Sequence, residues 1–440
     1  MNVPYPMRLH TRVSVQRGQV VSRRDFLRHA TAAGLAMSTL NLTEVLSANA
    51  DGLRGRGMAC ILLWMQGGPS QFETFTPKPE HENGGETQAI GTSVAGIQIA
   101  ENMPRTALVM RDLALLRGLT SREGNHQRAT YLLHHGYLPL GGVQFPTLGA
   151  NVADQIGAAA CQLPSCVRVG GRLANAGGGG FLGVDYDPLV LQSARRRPAN
   201  TQPTTATDRY ARRLQLLGAI QDDFASSGGA RVVADQRKLV QRAAEMIRSP
   251  DMEAFDLQQE PRSMRAAYGE SEFGSGCLLA RRLIERGVTF VEVSLRGWDT
   301  HQDNFSRTRK LTKQLDGPLA QLVTDLRQRG MLDRTLVVWM GEFGRTPRIN
   351  PRRGRDHFPK AFNAALAGGG IQGGQVVGRT NPAGTEITDR PVSVKDLFTT
   401  IYHALGIDPR HENTSRVGRP IKLVDGARWF RSCSADPDIS

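Results

Sequence analysis

The stretch Ala59-Cys-Ile-Leu-Leu-Trp-Met65 continues into Gln66-Gly-Gly-Pro-Ser70, and these residues decide the fold. A continuous apolar run of this length, without polar alternation, is typical of a strand that is buried on both faces. Such strands belong to parallel sheets that are covered by helices. The turn at 66–70 leads the chain across the carboxyl edge of the sheet, where open α/β sheets place their ligands.

Further segments of strand and helix length alternate along the chain. Strands are predicted at 113–116, 166–169, 288–295, 335–340 and 361–366, and helices at 127–135, 147–156, 208–248, 271–286, 305–329 and 394–405. This alternation predicts an α/β fold, with a doubly wound, mostly parallel sheet and helices on both faces.

The first 50 residues have the pattern of an export signal. Ser22-Arg-Arg-Asp-Phe-Leu-Arg28 places paired arginines before a short apolar run, and Ala48-Asn-Ala50 offers a small-x-small cleavage site. We therefore predict a twin-arginine signal peptide over 1–50, recognised by the twin-arginine translocation machinery, and a periplasmic or secreted protein. Residues 51–440 are predicted to form one domain with a helical insertion at about 195–270.

Composition excludes several classes of protein. The 440 residues include 55 Lys and Arg against 41 Asp and Glu, a formal net charge of +14. The dense basic clusters, at 195–197 and 352–353, have no interleaved aromatic residues, so no nucleic-acid partner is expected. After residue 50 no apolar stretch has the length of a membrane span. The five cysteines contain no CxxC pattern, so no disulfide framework is predicted.

Polar clusters follow two predicted strands of the C-terminal half. Asp299 and His301 come after 288–295, Glu342 comes after 335–340, and His357 follows shortly afterwards. Because parallel strands end at one edge of a sheet, we expect these side chains to approach each other. Carboxylates and imidazoles are ligands of Zn, Mn or Ca. The alternatives are a helix cap for Asp299, a backbone-binding carboxylate for Glu342, and a hydrogen-bonded loop histidine for His357.

These motifs together resemble a known family. Gly341-Glu-Phe-Gly-Arg-Thr-Pro347, Gly297-Trp-Asp-Thr-His301, Gly354-Arg-Asp-His357 and Gly67-Gly-Pro-Ser70 are similar to exported bacterial proteins called domain of unknown function 1501, or DUF1501. The resemblance extends from about Cys60 to Asp408. It implies the fold of the alkaline phosphatase and sulfatase superfamily, of which these proteins look like distant members.

The resemblance also implies a divalent metal site. In the superfamily two metals are held by an Asp after the first strand, an Asp/His pair, an Asp-His dipeptide and a later His. By position, Asp299 and His301 look like the pair, and His357 looks like the final His. Glu342 stands for the Asp of the dipeptide, whose His is replaced by Phe343.

Near the first strand, Glu73 stands where the family more often has Asp, and Thr76 replaces a second acid. The metal ligands implied by the resemblance are Glu73, Asp299, His301, Glu342 and His357.

The nucleophile is less defined. The segment from Thr120 to Gly136 resembles the nucleophile helix of the superfamily, but it contains no Cys-x-Pro-x-Arg motif of true sulfatases. Thr120, Ser121, Asn125 or His126 could occupy the position, and His126 and Asn125 could instead bind substrate or cap the helix.

Two functions follow from these residues. In the first, the protein is a metal-dependent hydrolase of phosphate or sulfate esters, in which Arg345 clamps the anion and His126 or His301 transfers a proton. Arg345 is equally a candidate for an ion pair with Glu342. In the second, the fold keeps a degenerate site and binds anionic glycans or partner proteins of the cell envelope.

Overall fold

The computed structural model describes residues 13–15, 19–21, 57–157, 161–201 and 207–426. The twin-arginine motif at 22–28 and the cleavage site at 48–50 lie outside these ranges, so the signal stays a prediction. Within the described ranges, no helix combines the length and the apolarity needed to cross a bilayer.

A central sheet organises the described part of the chain. Its nine strands are β1 (Ala59–Gln66), β2 (Leu113–Thr120), β3 (Cys166–Val169), β4 (Leu189–Leu191), β5 (Phe290–Arg296), β6 (Thr335–Met340), β7 (Phe362–Ala367), β8 (Gln375–Val377) and β9 (Val392–Ser393). The strand order is β8-β2-β7-β6-β1-β5-β3-β4, and β9 pairs with β2 beyond β8. The predicted strands are therefore present, within a few residues of their predicted ends.

Helices cover this sheet. They are α1 (Pro104–Leu108), α2 (His126–His135), α3 (Leu148–Ile156), α4 (Thr207–Phe224), α5 (Ala230–Arg248), α6 (Arg262–Tyr268), α7 (Glu272–Glu285), α8 (Asn304–Gln328) and α9 (Val394–Ala404). The chain between α4 and α5 kinks at Gly228, whose φ of 105° favours glycine. That 195–270 is an insertion stays a prediction.

Alternate side chains of β1 enter two separate cores. Ile61 packs in one core with Leu279 of α7 and Leu322 of α8. Leu62 points the other way and packs with Ile401 of α9. Because side chains of a strand alternate between its faces, a run without polar residues requires a core on both sides. The predicted doubly wound sheet with helices on both faces is confirmed.

One strand of the central sheet runs against the others. β7 pairs antiparallel with β6, Trp339 opposite Ala365, and antiparallel with β2 on its other side. The remaining pairs of the sheet are parallel. The short strands β4, β8 and β9 were not predicted, because two or three residues are too few for a periodic pattern.

Small antiparallel pairs of strands lie outside the central sheet. They are Val13–Val15 with Gln19–Val21, Ala89–Gly91 with Gln98–Ala100, Gly344–Arg345 with His357–Phe358, Arg379–Thr380 with Ile387–Asp389, and Glu412–Thr414 with Pro420–Lys422. The pair at 344–345 and 357–358 follows β6 and leads into the site described next.

Candidate functional site

The loops after β1 and β5 are in close contact at the carboxyl edge of the sheet. The backbone N–H of Trp298 donates to the carbonyl of Gln66, with N and O 3.1 Å apart. A Cβ at Gly67, where φ is 117°, would lie 2.4 Å from the backbone nitrogen of Asp299. Glycine at 67 therefore lets the first loop approach the second, and this approach positions Asp299.

Two further segments bring histidines to the same edge. In the small pair of strands after β6, His357 lies opposite Arg345. His126 is the first residue of α2, and the Asn125 side chain caps this helix by accepting from the backbone N–H groups of Gln127 and Arg128. The cap fixes the start of α2 and with it the place of the His126 ring.

His126, Asp299, His301 and His357 form a group that we call the His–Asp cluster. The Nε2 atoms of His301 and His357 lie 3.0 Å apart. Asp299 Oδ1 lies 3.1 Å from Nε2 of His301 and 3.5 Å from Nε2 of His357, and Asp299 Oδ2 lies 3.4 Å from Nε2 of His126. Two donors on one tetrahedral zinc ion are separated by about 3.3 Å, so these spacings fit a metal site.

Each imidazole of the His–Asp cluster is held through its other nitrogen. His301 Nδ1 lies 2.8 Å from Asp356 Oδ1, and His357 Nδ1 lies 2.8 Å from the carbonyl oxygen of Gly124. His126 Nδ1 lies 2.6 Å from Glu342 Oε1. Carbonyl and carboxylate oxygens only accept, so each Nδ1 carries the proton and donates. In metal sites, partners of this kind orient the ligating histidine.

With the three Nδ1 atoms protonated, the His–Asp cluster requires a positive charge among its remaining lone pairs. When Nδ1 of a neutral imidazole carries the proton, Nε2 presents a lone pair. The lone pairs of the His301 and His357 Nε2 atoms then lie 3.0 Å apart, and all three Nε2 atoms face the Asp299 carboxylate at 3.1 to 3.5 Å. Electron-pair donors at this spacing repel, so the group is stable only with protons or a metal ion among them.

The pKa values agree with that requirement. Burial lowers the pKa of His126, but its contacts with Asp299 and Glu342 outweigh burial and raise the pKa to about 9. Burial raises the pKa of Asp299, but hydrogen bonds from His126, His357 and Arg345 outweigh it and hold the pKa well below its usual range. The carboxylate stays ionised, and the neighbouring imidazole takes up a positive charge when no metal ion supplies it.

Glu342 lies beside the His–Asp cluster and supports it. Besides accepting from His126, its carboxylate accepts from the backbone N–H of Gly67, at 2.9 Å to Oε1 and 3.2 Å to Oε2. This arrangement places Glu342 as the positioning partner of a histidine and differs from its predicted role as a direct ligand. The adjacent Phe343 is fully buried and packs against the rings of His126 and His357.

Arg345 is engaged on every side. Its guanidinium donates to the carbonyl of Gly68 at 2.8 Å, to the carbonyl of Gly67, to the carbonyl of Arg355 at 3.2 Å and to Asp299 Oδ1 at 2.7 Å. The side chain is 0% exposed. Arg345 therefore positions Asp299, whereas the sequence predicted an anion clamp or a partner of Glu342.

Glu73 is not brought to the His–Asp cluster. Its Oε1 accepts from the Arg355 guanidinium at 2.8 and 3.1 Å, and both side chains are 0% exposed. The arginine also stacks on Phe72, 4.4 Å from the ring centroid. The predicted ligand is thus half of a buried ion pair. Thr76, the other position near β1, donates to Asn363 at 3.0 Å.

The residues predicted as nucleophiles have contacts of their own in the structure. Asn125 caps α2, and the Ser121 hydroxyl accepts from the backbone N–H of Glu123 at 3.1 Å. Thr120 pairs with Ser393 at the end of β2. Of the four candidates, His126 alone belongs to the His–Asp cluster.

Two supporting groups were missed in the sequence. They are Asp356, which binds His301, and the carbonyl of Gly124, which binds His357. The only signal for Asp356 was its place beside His357 in the motif 354–357. A backbone carbonyl leaves no signal, because every residue has one.

The chain is similar to one protein family over most of its length. Residues 58–432 match a family described as Protein of unknown function (DUF1501). No curated protein gives a significant match.

Several solved structures are similar to the chain at low identity. The lipoteichoic acid synthase LtaP from Listeria monocytogenes has 9% identity and a TM-score of 0.36, with 87% of this chain and 81% of that chain covered. A protein in the alkaline phosphatase superfamily from Vibrio parahaemolyticus has 12% identity and a TM-score of 0.38, with 86% and 75% covered. The PsFucS1 sulfatase from Pseudoalteromonas sp. has 12% identity and a TM-score of 0.35, with 82% and 70% covered.

Proposed function

The chain belongs to the DUF1501 family, and from that premise we propose that it is a metal-dependent hydrolase of phosphate or sulfate esters, acting after export. One observation carries the proposal. Three imidazoles donate through Nδ1 to fixed acceptors and turn their Nε2 atoms towards the Asp299 carboxylate, and ligand atoms of His126, Asp299 and His357 lie within 4.8 Å of one another. Three nitrogens and a carboxylate are a ligand set that zinc and related divalent ions use.

The ligand types narrow the choice of metal. Calcium takes six to eight oxygen ligands, and the His–Asp cluster is mostly nitrogen. Zinc takes histidine nitrogen and carboxylate oxygen in four-coordinate sites. Of the predicted ions Zn, Mn and Ca, zinc fits these residues best.

The exposure of the cluster favours catalysis over a purely structural role. The side chains of His126, Asp299, His301 and His357 are 25 to 46% exposed. Solvent therefore reaches these side chains, although Nε2 of His126 itself is buried. Structural zinc sites are closed, whereas catalytic sites keep a position open.

The chain's own residues have defined tasks in this hydrolysis. A bound divalent ion would lower the pKa of a water molecule and neutralise charge on an ester oxygen. Arg345 orients Asp299 and keeps it ionised. Glu342 and Asp356 hold the Nδ1 protons of His126 and His301, which fixes which nitrogen faces the substrate. The excess of basic over acidic residues in the predicted exported part of the chain attracts anionic esters to the protein.

The experiment combines metal content with turnover. The full chain is reconstituted with Zn²⁺ or Mn²⁺, analysed by elemental analysis, and assayed with aryl phosphate and aryl sulfate esters. We expect about one ion per chain and turnover that is lost in His357→Ala. His411→Ala, at an exposed position outside the His–Asp cluster, is the matched control and should keep both properties. Absence of bound metal after reconstitution would contradict the proposal.

A second candidate is a protein that binds anionic glycans or envelope partners at the same centre without turnover. The Arg345 guanidinium favours it, because its hydrogen bonds to three main-chain carbonyls and to Asp299 leave it unable to clamp an ester. Stoichiometric metal without turnover of either ester class would select this candidate.

A further inference from the structure

A second charged region lies at the edge of the central sheet. Here β8 pairs with residues 114–116 of β2, and β9 pairs with residues 119–120. Arg117 lies between these two pairings, in a stretch of β2 that pairs with neither β8 nor β9. A cavity of about 570 Å³ opens beside this stretch.

We call this space the cationic cavity, because Lys78, Arg117 and Arg379 line it. Thr76 and Thr380 are also in its wall, and no Asp or Glu is among the described residues that line it. Its volume is in the range of small-molecule sites. It shares no residue with the His–Asp cluster, so it is a separate feature of the molecule.

Two buried polar atoms of the residues that line the cationic cavity lack hydrogen-bond partners. The Thr380 side chain is 5% exposed, and its Oγ1 has no hydrogen bond. Arg117 donates to the carbonyl of Gln98, but its Nε is buried without a partner. Asp389 lies opposite Arg379 across a strand pair, yet its carboxylate accepts from Arg390 at 3.3 Å instead. Buried polar groups are normally satisfied, so these two atoms are available to bind a ligand in the cavity.

The charges in the cationic cavity act on each other. Burial lowers the pKa of Lys78, and the positive charges of Arg117 and Arg379 lower it further. Three cations that face one space without a carboxylate repel each other, and an anion among them would relieve this repulsion.

We propose that the cationic cavity binds a tetrahedral oxyanion, either sulfate or phosphate, through Lys78, Arg117 and Arg379, with Thr380 as a hydrogen-bond donor. Guanidinium groups match the oxygens of such anions in pairs, and lysine adds a point charge. Thr380 Oγ1 supplies the donor that a buried anion requires. The ion is either free or carried on a larger molecule such as a sulfated sugar, and the chemistry of recognition is the same.

Titration calorimetry on the full chain tests this proposal. Inorganic sulfate and inorganic phosphate are titrated into protein treated with a chelator, so that the His–Asp cluster holds no metal. We expect one site per chain. The double variant Lys78→Gln with Arg379→Gln should weaken binding at least about tenfold, because charge-assisted contacts are lost. Arg196→Gln, an exposed arginine outside the cationic cavity, is the matched control and should change affinity less than about twofold.

A milder variant protects the test against misfolding. Thr380→Val keeps the shape of the side chain and removes only the unpartnered hydroxyl. It should fold at least as well as the natural chain and bind the anion several-fold more weakly. Unchanged affinity in both the double variant and Thr380→Val would overturn the proposal.

Two further measurements distinguish a free ion from a carried group, and the cationic cavity from the His–Asp cluster. A sulfated disaccharide that binds more tightly than inorganic sulfate identifies a carried group, and equal affinities identify the free ion. His357→Ala should leave anion binding unchanged, because the cationic cavity lies outside the His–Asp cluster. Binding that is lost in His357→Ala but kept in the double variant would place the anion at the cluster and overturn the proposal. Neither result depends on ester turnover, so failure here is distinct from failure of the proposed hydrolase.

Discussion

Two buried arginines near the carboxyl edge of the sheet each pair with one carboxylate, but the two carboxylates differ in their surroundings. Arg355 pairs with Glu73, and Arg345 pairs with Asp299. Both guanidinium groups are 0% exposed and also donate to several main-chain carbonyls. The carboxylates differ, since Glu73 is 0% exposed and Asp299 is 46% exposed. We call the first the closed pair and the second the open pair.

The comparison shows that the surroundings of the carboxylate decide its role. In the closed pair, the second oxygen of Glu73 is buried without a hydrogen bond. In the open pair, both oxygens of Asp299 face imidazole nitrogens at 3.1 to 3.5 Å. The closed pair therefore holds two loops together, and the open pair presents a charged ligand to solvent.

The largest effect is expected from breaking the closed pair. Glu73→Ala leaves Arg355 as an unpaired buried charge, so the free energy of unfolding should fall by about 3–5 kcal/mol. Urea denaturation of the metal-free protein measures it. Glu86→Ala, which removes an exposed partner of Arg309 and Arg353, is the control and should cost less than about 1 kcal/mol. Equal losses of unfolding free energy in the two variants would show that burial does not strengthen the closed pair.

A third pair extends the comparison to pH. Glu292, in β5, is buried with Arg168 at 2.9 Å and His134 at 3.5 Å. Burial raises the pKa of Glu292, but the Arg168 guanidinium, together with the contact with His134, outweighs it and lowers the pKa to about 2. The ionised form therefore stabilises the fold above pH about 4.5, and this contribution is lost as the pH falls towards 2.

Glu292→Gln should remove this pH-dependent contribution to the free energy of unfolding, which amounts to about 3 kcal/mol. Denaturation of both proteins between pH 2 and 6 measures it. The natural chain should lose stability more steeply than the variant, and parallel curves would contradict the prediction.

Breaking the open pair should act on metal affinity more than on stability. Asp299→Ala removes the only carboxylate of the His–Asp cluster, so zinc affinity should fall at least about 100-fold, since even a supporting residue contributes 10–100-fold. The free energy of unfolding should fall less than in Glu73→Ala, because water can fill the exposed position. Competition with a chromogenic chelator measures the affinity, and Glu73→Gln, assayed as folded protein, should leave it within about threefold.

The smallest effect is expected at Glu342, which contacts the His–Asp cluster through its hydrogen bond with His126. Glu342→Gln keeps an acceptor for the Gly67 N–H but removes the negative charge beside His126. Zinc affinity should fall about 10–100-fold. In the metal-free protein the pKa of His126, which is about 9, should fall towards the ordinary value, since the imidazolium loses a partner. Histidine NMR titration measures the shift, and an unchanged pKa would show that Asp299 alone sustains it.

The sequence was enough to predict the edge of the sheet where the site lies. The apolar run of β1 predicts a sheet covered on both faces, and the polar residues after β5 and β6 then meet at one edge. The approach of Asp299, His301 and His357 follows from this topology and was expected.

The partners of these residues were not predictable from the sequence. Glu73 and Arg355 are 282 positions apart, and their pairing depends on the paths of two irregular loops. Whether Glu342 is a ligand or holds His126 depends on the path of the loop after β6. The cationic cavity is equally hidden, because Lys78, Arg117 and Arg379 lie on separate elements and no periodicity connects them.

The separation of the ligands along the chain has a consequence for biosynthesis. His357 and its acceptor Gly124 are 233 positions apart, and His126 and Glu342 are 216 apart. A chain still emerging from the ribosome has no complete centre until His357 has been made and β6 has joined the sheet. In the proposed metalloenzyme, loading of the ion is therefore a late event, available only to a nearly complete chain. From then on the bound ion favours the native state over the unfolded state in proportion to the logarithm of its concentration.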